Sequence, residues 1–473
     1  MDRLSPLDAE FVEAEEEDRH VSMAIGSIAV FEGPAPAYEE FVDMIGSRIP
    51  LVPRYRQKLR TVPLRIGPPV WVDDPHFDIH FHIRQTALPE PGGDQELAQL
   101  VARVMAQRLD RDRPLWEDWM VTGLAEHHWA LISKVHHSMV DGVSGTDLYR
   151  VVFDAAGEEI PSPPPARREP LALELAARAA GDLLLLPGRA AGAALARLGQ
   201  PAPSFRQIMG TAKGMWALTP SVRPARRSSL TGPIGQQRRF SWVRVPLDDV
   251  RAIKAGLGGT VNDAVLAAIT AGFRSLLISR GEKPHAHMVP SLVPVSLRAP
   301  GQENIYENRV SALIVPLPVH LSDPVEQLTA VRTKVEALKR RQEAAVGQAF
   351  AELASYVPYP IASLTRLGFR FPQRDIVTVT TNVPGPRQTL FCLGRPLVEI
   401  IPYVPIASSV RIGVAIFSYC DQIIFGITGD YETTPDLDVL AQGITDGVAA
   451  LLKAATGSSS SSRRGEAPAS VTP

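Results

Sequence analysis

The amino-acid sequence predicts an α/β (α+β) protein, because helical and strand patterns alternate in both the first and the last parts of the chain. With 473 residues, the chain is long enough for more than one domain. Hydrophobic residues make up 45% of it and charged residues 21%, which is ordinary for a packed protein. The chain as a whole is therefore neither disordered nor a charged filament.

In the first part, one helix and two strands are predicted. Residues 94–109 place five apolar side chains near one helical face: Leu97, Leu100, Val101, Val104 and Leu109. Residues 119–124 and 128–136 are apolar runs separated by a short polar stretch, which indicates two neighbouring strands.

In the last part, the same alternation continues. Residues 238–247 have the pattern of a strand and residues 262–280 that of a helix. Asp323 is a candidate cap for a second helix, with Pro324 at its first position and Glu326 in place to complete a capping box. Residues 411–420 and 422–431 are predicted to be two strands joined at Asp421.

Composition divides the chain into four segments. Residues 1–155 and 236–455 have the mixed patterns described above. Residues 156–235 are proline-rich, basic and partly helical, so we expect a crossover between two halves. Residues 456–473 are of low complexity and are predicted to be disordered.

Charge and cysteine content exclude several classes of protein. A formal net charge of −2 argues against a generally basic nucleic-acid binder. The two cysteines, Cys392 and Cys420, cannot build a disulfide scaffold, which fits a reducing compartment. The start of the sequence lacks the pattern of a signal peptide, and no uncharged apolar run approaches the length of a membrane span. We therefore expect the protein in the cytoplasm, with attachment to a membrane surface left open.

The sharpest candidate site is the sequence HHSMVDG at residues 136–142. Strand alternation would place His137 on one face with Val135, and His136 on the other with Lys134, so the two imidazoles cannot both face one substrate. One histidine is then a candidate general base and the other its support. Asp141 lies where the chain must turn, in reach of His137 or of a structural cation, and Gly142 permits that turn.

This motif also has other interpretations. A buried histidine is more often structural than catalytic. A metal site is disfavoured by the opposed directions of the histidines and by the absence of His-Glu-x-x-His or a nearby cysteine. The sequence also contains no Gly-x-Ser-x-Gly elbow and no phosphate-binding Gly-x-x-x-x-Gly-Lys loop, and the glycines at 256–259 indicate a turn.

Taken together with other motifs, the HHSMVDG sequence resembles the HHxxxDG signature of the acyl-CoA-dependent acyltransferase superfamily. Five further stretches are similar to the bacterial wax ester synthase/diacylglycerol acyltransferase family: LSPLDAEF at 4–11, PLWE at 114–117, LTGPIGQQRRF at 230–240, Asn262-Asp263 and NVPGP at 382–386. These matches occur in order from residue 4 to residue 386, and their combination is specific.

The resemblance implies a fold and an activity. It implies two chloramphenicol-acetyltransferase-like halves joined by a long crossover, with the active-site channel between them. It also implies an O-acyltransferase that moves a long-chain acyl group from acyl-CoA to diacylglycerol or a long-chain alcohol, forming triacylglycerol or wax ester. No cofactor and no metal are expected, since acyl-CoA is a substrate.

The resemblance further implies roles for particular residues. His137 is the general base, His136 its neighbour, and Asp141 holds the motif's turn, next to Gly142, through an arginine for which Arg298 is the candidate. The expected substrate-binding residues are Trp116, Asn262, Asp263, Asn308 and Asn382, with Glu307 standing where the superfamily has a glycine before the asparagine.

Local alternatives remain for these residues. Trp116 is as compatible with packing, Asn262 with a helix N-cap, and Asn382 with the shaping of a turn. Two other functions also remain open: a related acyltransferase with a non-lipid acceptor, and a non-catalytic lipid- or CoA-binding protein.

A last expectation concerns membranes. Residues 161–240 contain 12 Arg or Lys and 3 Asp or Glu, a local charge of +9. Four clustered arginines, Arg226, Arg227, Arg238 and Arg239, are candidates for peripheral, salt-sensitive contact with an anionic membrane or a lipid droplet. The alternative is a solvated crossover whose arginines keep it soluble.

Overall fold

The structure is a computed structural model that describes residues 2–139, 152–154, 168–181, 184–185, 228–296, 310–345 and 376–462. Two six-stranded sheets organise these residues, and a small two-stranded sheet accompanies the first. The α/β architecture predicted from the alternating patterns is confirmed.

The first sheet has the strand order β11-β12-β1-β6-β5-β4. The strands and helices of this half are α1 (Pro6–Glu17), β1 (Ala24–Phe31), α2 (Tyr38–Arg48), β2 (Gln57–Arg60), β3 (Val70–Asp73), α3 (Ile79–His82), β4 (Ile83–Ala87), α4 (Asp94–Ala106), β5 (Trp116–Thr122), β6 (Trp129–His136), β11 (Phe391–Cys392) and β12 (Arg395–Tyr403). Neighbouring strands are antiparallel except β4 and β5, while β2 and β3 form the two-stranded sheet.

The second sheet has the strand order β7-β14-β13-β10-β8-β9. Its half contains β7 (Arg238–Pro246), α5 (Leu247–Leu257), α6 (Val261–Ser279), β8 (Val289–Ser296), β9 (Val310–Leu317), α7 (Pro324–Ala345), β10 (Thr378–Pro384), β13 (Ile412–Tyr419), β14 (Gln422–Asp430) and α8 (Leu437–Ser462). β10 runs parallel to both β8 and β13, and the other pairs are antiparallel.

The elements predicted from local patterns are present. α4 buries the apolar stripe read from residues 94–109 but ends at Ala106. The carboxylate of Asp323 accepts hydrogen bonds from the backbone N–H groups of Val325 (2.8 Å) and Glu326 (2.9 Å), so Asp323 caps α7 as expected. The strands β5, β6, β7, β13 and β14 also appear where alternation and turn signals placed them.

α6 is the one helix in the described ranges whose length and hydropathy would suit a membrane span. In the structure, 67% of its most apolar window is buried inside the protein. It packs against α8 through small residues: a Cβ added at Gly443 would lie 2.9 Å from the Cα of Gly272. The apolar sequence of α6 is thus accounted for by packing in the second core.

The C-terminal segment contributes two strands to the first sheet, which the division by composition did not predict. β11 and β12 come from the segment assigned to the C-terminal half, yet β12 pairs with β1 along the open side of the first sheet. The strand sits close to its own half as well, since a Cβ at Gly426 in β14 would lie 1.8 Å from the carbonyl oxygen of Pro402. Position 426 therefore requires glycine, because any side chain there would collide with the backbone of β12.

Parts of the other two segments are also described. The crossover packs on the two-stranded sheet, where Glu169 lies 3.4 Å from the Lys58 ammonium and 3.0 Å from the Arg60 guanidinium. Most of residues 156–235 lies outside the described residues.

α8 continues to Ser462, so residues 456–462 are helical instead of disordered, because extending a packed helix costs far less than starting one. Residues 463–473 lie outside the described ranges.

A charged clamp fastens the two halves together. The guanidinium of Arg244 in β7 donates to both carboxylate oxygens of Glu399 in β12, at 2.6 and 2.7 Å. It also donates to both oxygens of Asp94 at the start of α4, at 2.5 and 3.0 Å. Charge-assisted bidentate pairs of this kind are among the stronger polar contacts in proteins.

We expect Arg244→Gln to lower the free energy of unfolding by about 1–3 kcal/mol, because the Glu399 side chain is 9% exposed and would lose its cation. Asp94→Asn is the matched control, with an expected effect below about 1 kcal/mol, because Asp94 is 62% exposed. Urea unfolding of the three proteins measures both effects. Equal effects of the two substitutions would contradict a clamp centred on Glu399.

Candidate active site

The candidate site is built at the end of β6, where the flanking strands hold the backbone of both histidines. His136 is the last residue of the strand and pairs with Ala24 of β1, while its N–H donates to the carbonyl of Leu115 at 2.9 Å. His137 begins a 3-10 turn that ends at Met139, and its N–H donates to the carbonyl of Met23 at 3.0 Å. His137 therefore lies just outside the strand. The turn, and not the alternation of a strand that the sequence predicted, sets the direction of its side chain.

His136 is sealed inside the protein, with 2% of its surface exposed. The backbone N–H of Ser138 donates to its Nδ1 at 3.1 Å, and the Ser138 hydroxyl oxygen lies 2.7 Å from the same nitrogen. Because a backbone N–H can only donate, Nδ1 must accept, which leaves the ring proton on Nε2. Nε2 faces Glu15, whose Oε1 lies 3.5 Å away.

Glu15 is a buried carboxylate that supports His136 from α1. It accepts a hydrogen bond from the N–H of Met23 at 2.6 Å and lies 3.2 Å from the guanidinium of Arg111. Burial alone would raise the pKa of Glu15, but contacts with His136, Met23 and Arg111 outweigh it and lower that pKa from 4.5 to about 2. Glu15 is therefore a charged group at neutral pH that fixes the orientation of His136.

Sequence reasoning missed Glu15 because it lies in an acidic run, EAEEED, that resembles an exposed helix end. The available signal was its spacing from Phe11: the two are four residues apart, so they share a face of α1. Each contacts one histidine of the motif: the Glu15 carboxylate lies beside His136, and the Phe11 ring stacks on His137.

His137 occupies a different environment from its neighbour. Its ring stacks on Phe11 with centroids 3.9 Å apart and an angle of 29° between the planes, and the residue is only half-buried. The stacking covers one face of the imidazole and fixes its plane. Of the two histidines, His137 is thus the one within reach of a bound molecule.

An apolar cluster drawn from both halves lies against Phe11. Its buried members are Val21, Met23, Ile234, Ile376, Ile406 and Val410. Side chains from β8, β9 and β10 pack against them while remaining partly accessible, namely Leu292, Ile314 and Val379. The environment on the Phe11 side of His137 is consequently hydrocarbon contributed by both halves.

A buried lysine sits behind His136 on β6. The Lys134 ammonium is 1% exposed and donates to the carbonyls of Val104 (2.8 Å) and Gln107 (2.6 Å) at the end of α4. Burial lowers the pKa of Lys134 to about 8, despite the nearby carboxylates of Glu117 and Glu15. Lys134 therefore ties β6 to α4 by satisfying carbonyls that the helix leaves free.

Two of the expected substrate-binding residues meet each other in the second half. The side-chain N–H of Asn382 donates to the Oδ1 of Asn262 at 3.2 Å, joining residues from β10 and α6 that are 120 positions apart. Asn262 is not the N-cap of α6, because Thr260 has that role, and Asn382 lies within β10 instead of a turn.

Two of the other expected contact residues make contacts within the protein. Asp263 forms a capping box with Thr260, accepting from the Thr260 N–H at 2.8 Å, so it caps the start of α6, and its role in substrate binding stays a prediction. Trp116 is 1% exposed, its indole N–H donates to the carbonyl of Tyr55 at 2.9 Å, and its ring stacks on His82. The tryptophan of the PLW motif is thus a core residue of the first half.

Four expected site residues, Asp141, Gly142, Arg298 and Asn308, lie outside the described residues, so the pairing of Asp141 with Arg298 stays a prediction.

Among the four arginines expected at a membrane, Arg226 and Arg227 also lie outside the described ranges. Arg238 is 5% exposed and donates to the carbonyls of Gly235 and His20, both at 2.6 Å, so it cannot face a membrane. Arg239 donates to the carbonyl of Tyr431 at 2.8 Å.

Known proteins resemble this chain along most of its length. The family model described as the wax ester synthase/diacylglycerol acyltransferase catalytic domain matches residues 4–265, and that of the WS/DGAT C-terminal domain matches residues 306–451. A probable diacylglycerol O-acyltransferase of Mycobacterium tuberculosis is 40% identical over 453 residues, covering 96% of each chain. A putative diacylglycerol O-acyltransferase of the same species is 33% identical over 96% of this chain and 91% of its own.

Solved structures give the same relationship. The wax ester synthase/diacylglycerol acyltransferase of Marinobacter aquaeolei superposes with a TM-score of 0.66 at 26% identity, covering 96% of this chain and 100% of its own. The first condensation domain of the calcium-dependent antibiotic synthetase shares the fold, with a TM-score of 0.59 at 16% identity and coverage of 96% and 97%. The chain belongs to the wax ester synthase/diacylglycerol acyltransferase family.

Proposed function

We propose that this protein is an O-acyltransferase that moves a long-chain acyl group from acyl-CoA to diacylglycerol or a long-chain alcohol, with His137 as its general base. The observation that carries the proposal is the arrangement around HHSMVDG. One histidine is sealed and held by a buried carboxylate, while the next is half-buried and lies beside hydrocarbon from both halves.

The chemistry needs few groups, because a thioester is already activated. The Nε2 lone pair of His137 takes the proton of the acceptor hydroxyl as its oxygen attacks the thioester carbonyl carbon, because Nδ1 is buried. The tetrahedral adduct then collapses, the carbon–sulfur bond breaks, and the protonated imidazole returns its proton to the departing CoA thiolate. The ester and free CoA are formed without a covalent bond to the enzyme.

His136 acts in this scheme as a positioning residue. Its Nδ1 holds the backbone of Ser138, which is part of the same turn as His137, and its Nε2–H faces Glu15. The turn is therefore supported by the hydrogen bond from Ser138 to His136 and by the 3.5 Å polar contact between His136 and Glu15 of α1. Asp141 and Arg298 are proposed to hold the far end of the same turn.

The apolar cluster beside Phe11 supports a long hydrocarbon substrate. Burying acyl chain against such side chains is favourable by about 25 cal/mol per Å² of apolar surface. Leu292, Ile314 and Val379 come from the second half, whereas Phe11 comes from the first, so a chain bound here would contact both halves. A lipid acceptor fits this surface better than a sugar, which would leave polar hydroxyls unpaired.

We also place the protein in the cytoplasm, with peripheral contact at the inner membrane face or at lipid droplets. The support is the membrane-soluble nature of the proposed acceptors and the basic composition of residues 161–240, including Arg226 and Arg227.

The purified protein is expected to release CoA thiol from palmitoyl-CoA only when a hydroxyl acceptor is added, because direct transfer requires both substrates at once. Thiol release is followed with dioleoylglycerol, hexadecanol or a water-soluble sugar as acceptor, and the product is identified by mass spectrometry. Stimulation by the sugar alone would assign a non-lipid acceptor. No stimulation by any acceptor, in a protein that still binds CoA, would point to a non-catalytic binding protein.

A further inference from the structure

A second feature of the structure lies away from the apolar cluster. A groove of about 1320 Å³ runs along the junction of the halves, between α4 on one side and β7 with the start of α8 on the other. The neighbouring Arg244 clamp joins α4, β7 and β12, so the walls of the groove are held at a fixed separation.

The groove is strongly basic. Five arginines line it: Arg19, Arg103, Arg108, Arg238 and Arg239. The acidic residues on its walls are Asp94 and Asp438, and Asp94 is already bound by Arg244. A cleft lined mainly by one sign of charge concentrates ligands of the opposite sign. The groove therefore selects for an anion.

The arginines differ in how many hydrogen bonds their side chains form within the protein. Arg108 and Arg238 donate to backbone carbonyls of the segment that joins α1 to β1, including those of Val21 and His20. The side chains of Arg19 and Arg103, by contrast, are exposed and form no ion pair or hydrogen bond with any other described residue. Their guanidinium groups are free to bind a phosphate in the bidentate manner that arginine favours.

The groove also offers a flat aromatic surface. The Tyr431 ring is 43% exposed, and the Arg239 guanidinium lies 4.2 Å from its centroid. A stacked arginine and tyrosine provide planar surface on which a purine can stack. A ligand with both phosphates and a purine matches the groove better than an anionic lipid head group, which has no ring to stack.

The inner end of the groove is adjacent to the histidine motif. Arg108 lines the groove and also donates to the backbone carbonyl of Glu15, the residue whose carboxylate contacts His136. Glu15 thus lies between the groove and His136. The apolar cluster, by contrast, packs on Phe11 beside His137.

We infer that this groove binds the 3′-phosphorylated ADP portion of the acyl-CoA donor, with Arg19 and Arg103 contacting phosphate and Tyr431 supporting the adenine. The inference rests on the proposed function, since it names the part of the donor that remains outside the acyl site.

The test is calorimetric titration of the full chain with CoA, with dephospho-CoA and with adenosine 3′,5′-bisphosphate. The double variant Arg19→Gln/Arg103→Gln should bind CoA at least about tenfold more weakly, because each arginine contributes charged hydrogen bonds. Adenosine 3′,5′-bisphosphate should compete with CoA on the wild-type protein. Arg340→Gln, at a side chain 76% exposed on α7, is the matched control and should bind CoA as the wild type does.

Kinetics separate this inference from the proposed function. In the double variant, the preference for palmitoyl-CoA over palmitoyl-N-acetylcysteamine, which lacks the nucleotide, should fall by a factor similar to the loss of CoA affinity. Wild-type affinity for CoA in an active double variant would overturn the groove assignment and leave the acyltransferase activity intact. Loss of flotation with phosphatidylglycerol vesicles without loss of CoA affinity would likewise overturn it, assigning the groove to a lipid surface.

Discussion

Replacing His137 by alanine is expected to lower kcat for acyl transfer by about 10²–10⁴-fold, the usual contribution of a positioned general base. The loss should appear in kcat more than in KM, because the imidazole takes up the proton in the transition state and contributes little to binding acyl-CoA. Steady-state thiol release with palmitoyl-CoA and dioleoylglycerol measures the effect. The fold should persist, since His137 is half-buried in a turn and not in the core.

Two comparisons make the His137 result specific. His285→Ala removes an exposed histidine in the second half and should leave thiol release unchanged. Circular dichroism and the thermal midpoint establish whether His137→Ala is folded. A folded His137→Ala protein with wild-type kcat would assign the base to another residue, whereas the fold and family membership would stand.

Glu15→Gln should produce the second large effect, a loss of about 3–5 kcal/mol in the free energy of unfolding at neutral pH together with reduced activity. The substitution keeps the shape of the side chain but removes the charge that faces His136 and Arg111 inside the protein. Activity should fall because the Nε2–H of His136 loses the carboxylate that orients it. Urea unfolding and thiol release report the two parts of this prediction.

The same carboxylate predicts how stability varies with pH. The pKa of Glu15 is lowered from 4.5 to about 2 on folding, so its ionised form stabilises the native protein at all pH values above about 4.5. That contribution, about 3 kcal/mol, is lost as the pH falls from about 4.5 towards 2. The stability difference between wild type and Glu15→Gln should therefore shrink over this interval. Glu16→Gln, at the next and more exposed position, should cost less than about 1 kcal/mol and serves as the control. A difference that stays constant from pH 7 to pH 3 would contradict the assignment.

Local patterns were sufficient to predict much of the secondary structure. α4, α6 and α7 follow from helical periodicity and capping residues, and β13 and β14 follow from two apolar runs separated by a short turn. Each of these signals is contained within a short stretch of sequence, so no knowledge of distant contacts is needed.

Contacts between distant segments could not be predicted in this way. β12 is a largely apolar strand, and nothing local indicates that it pairs with β1 instead of with strands of its own half. Glu15 is one of several consecutive acidic residues, and only its position opposite His136 distinguishes it. The hydrogen bond between Asn262 and Asn382 likewise depends on where α6 and β10 meet.

The pairing of β12 with β1 has a consequence for synthesis of the chain. Gly26 pairs with Tyr403, which lies 377 positions later in the chain (403 − 26), so this long stretch must be synthesised before the first sheet can be completed. Until then one edge of β1, with its unpaired N–H and C=O groups and apolar residues such as Ile28 and Val30, is open to pairing with other chains. A nascent chain in this state is the kind of species that chaperones protect. The first half therefore completes its sheet only after β12 has been synthesised, although the helices can form as each emerges.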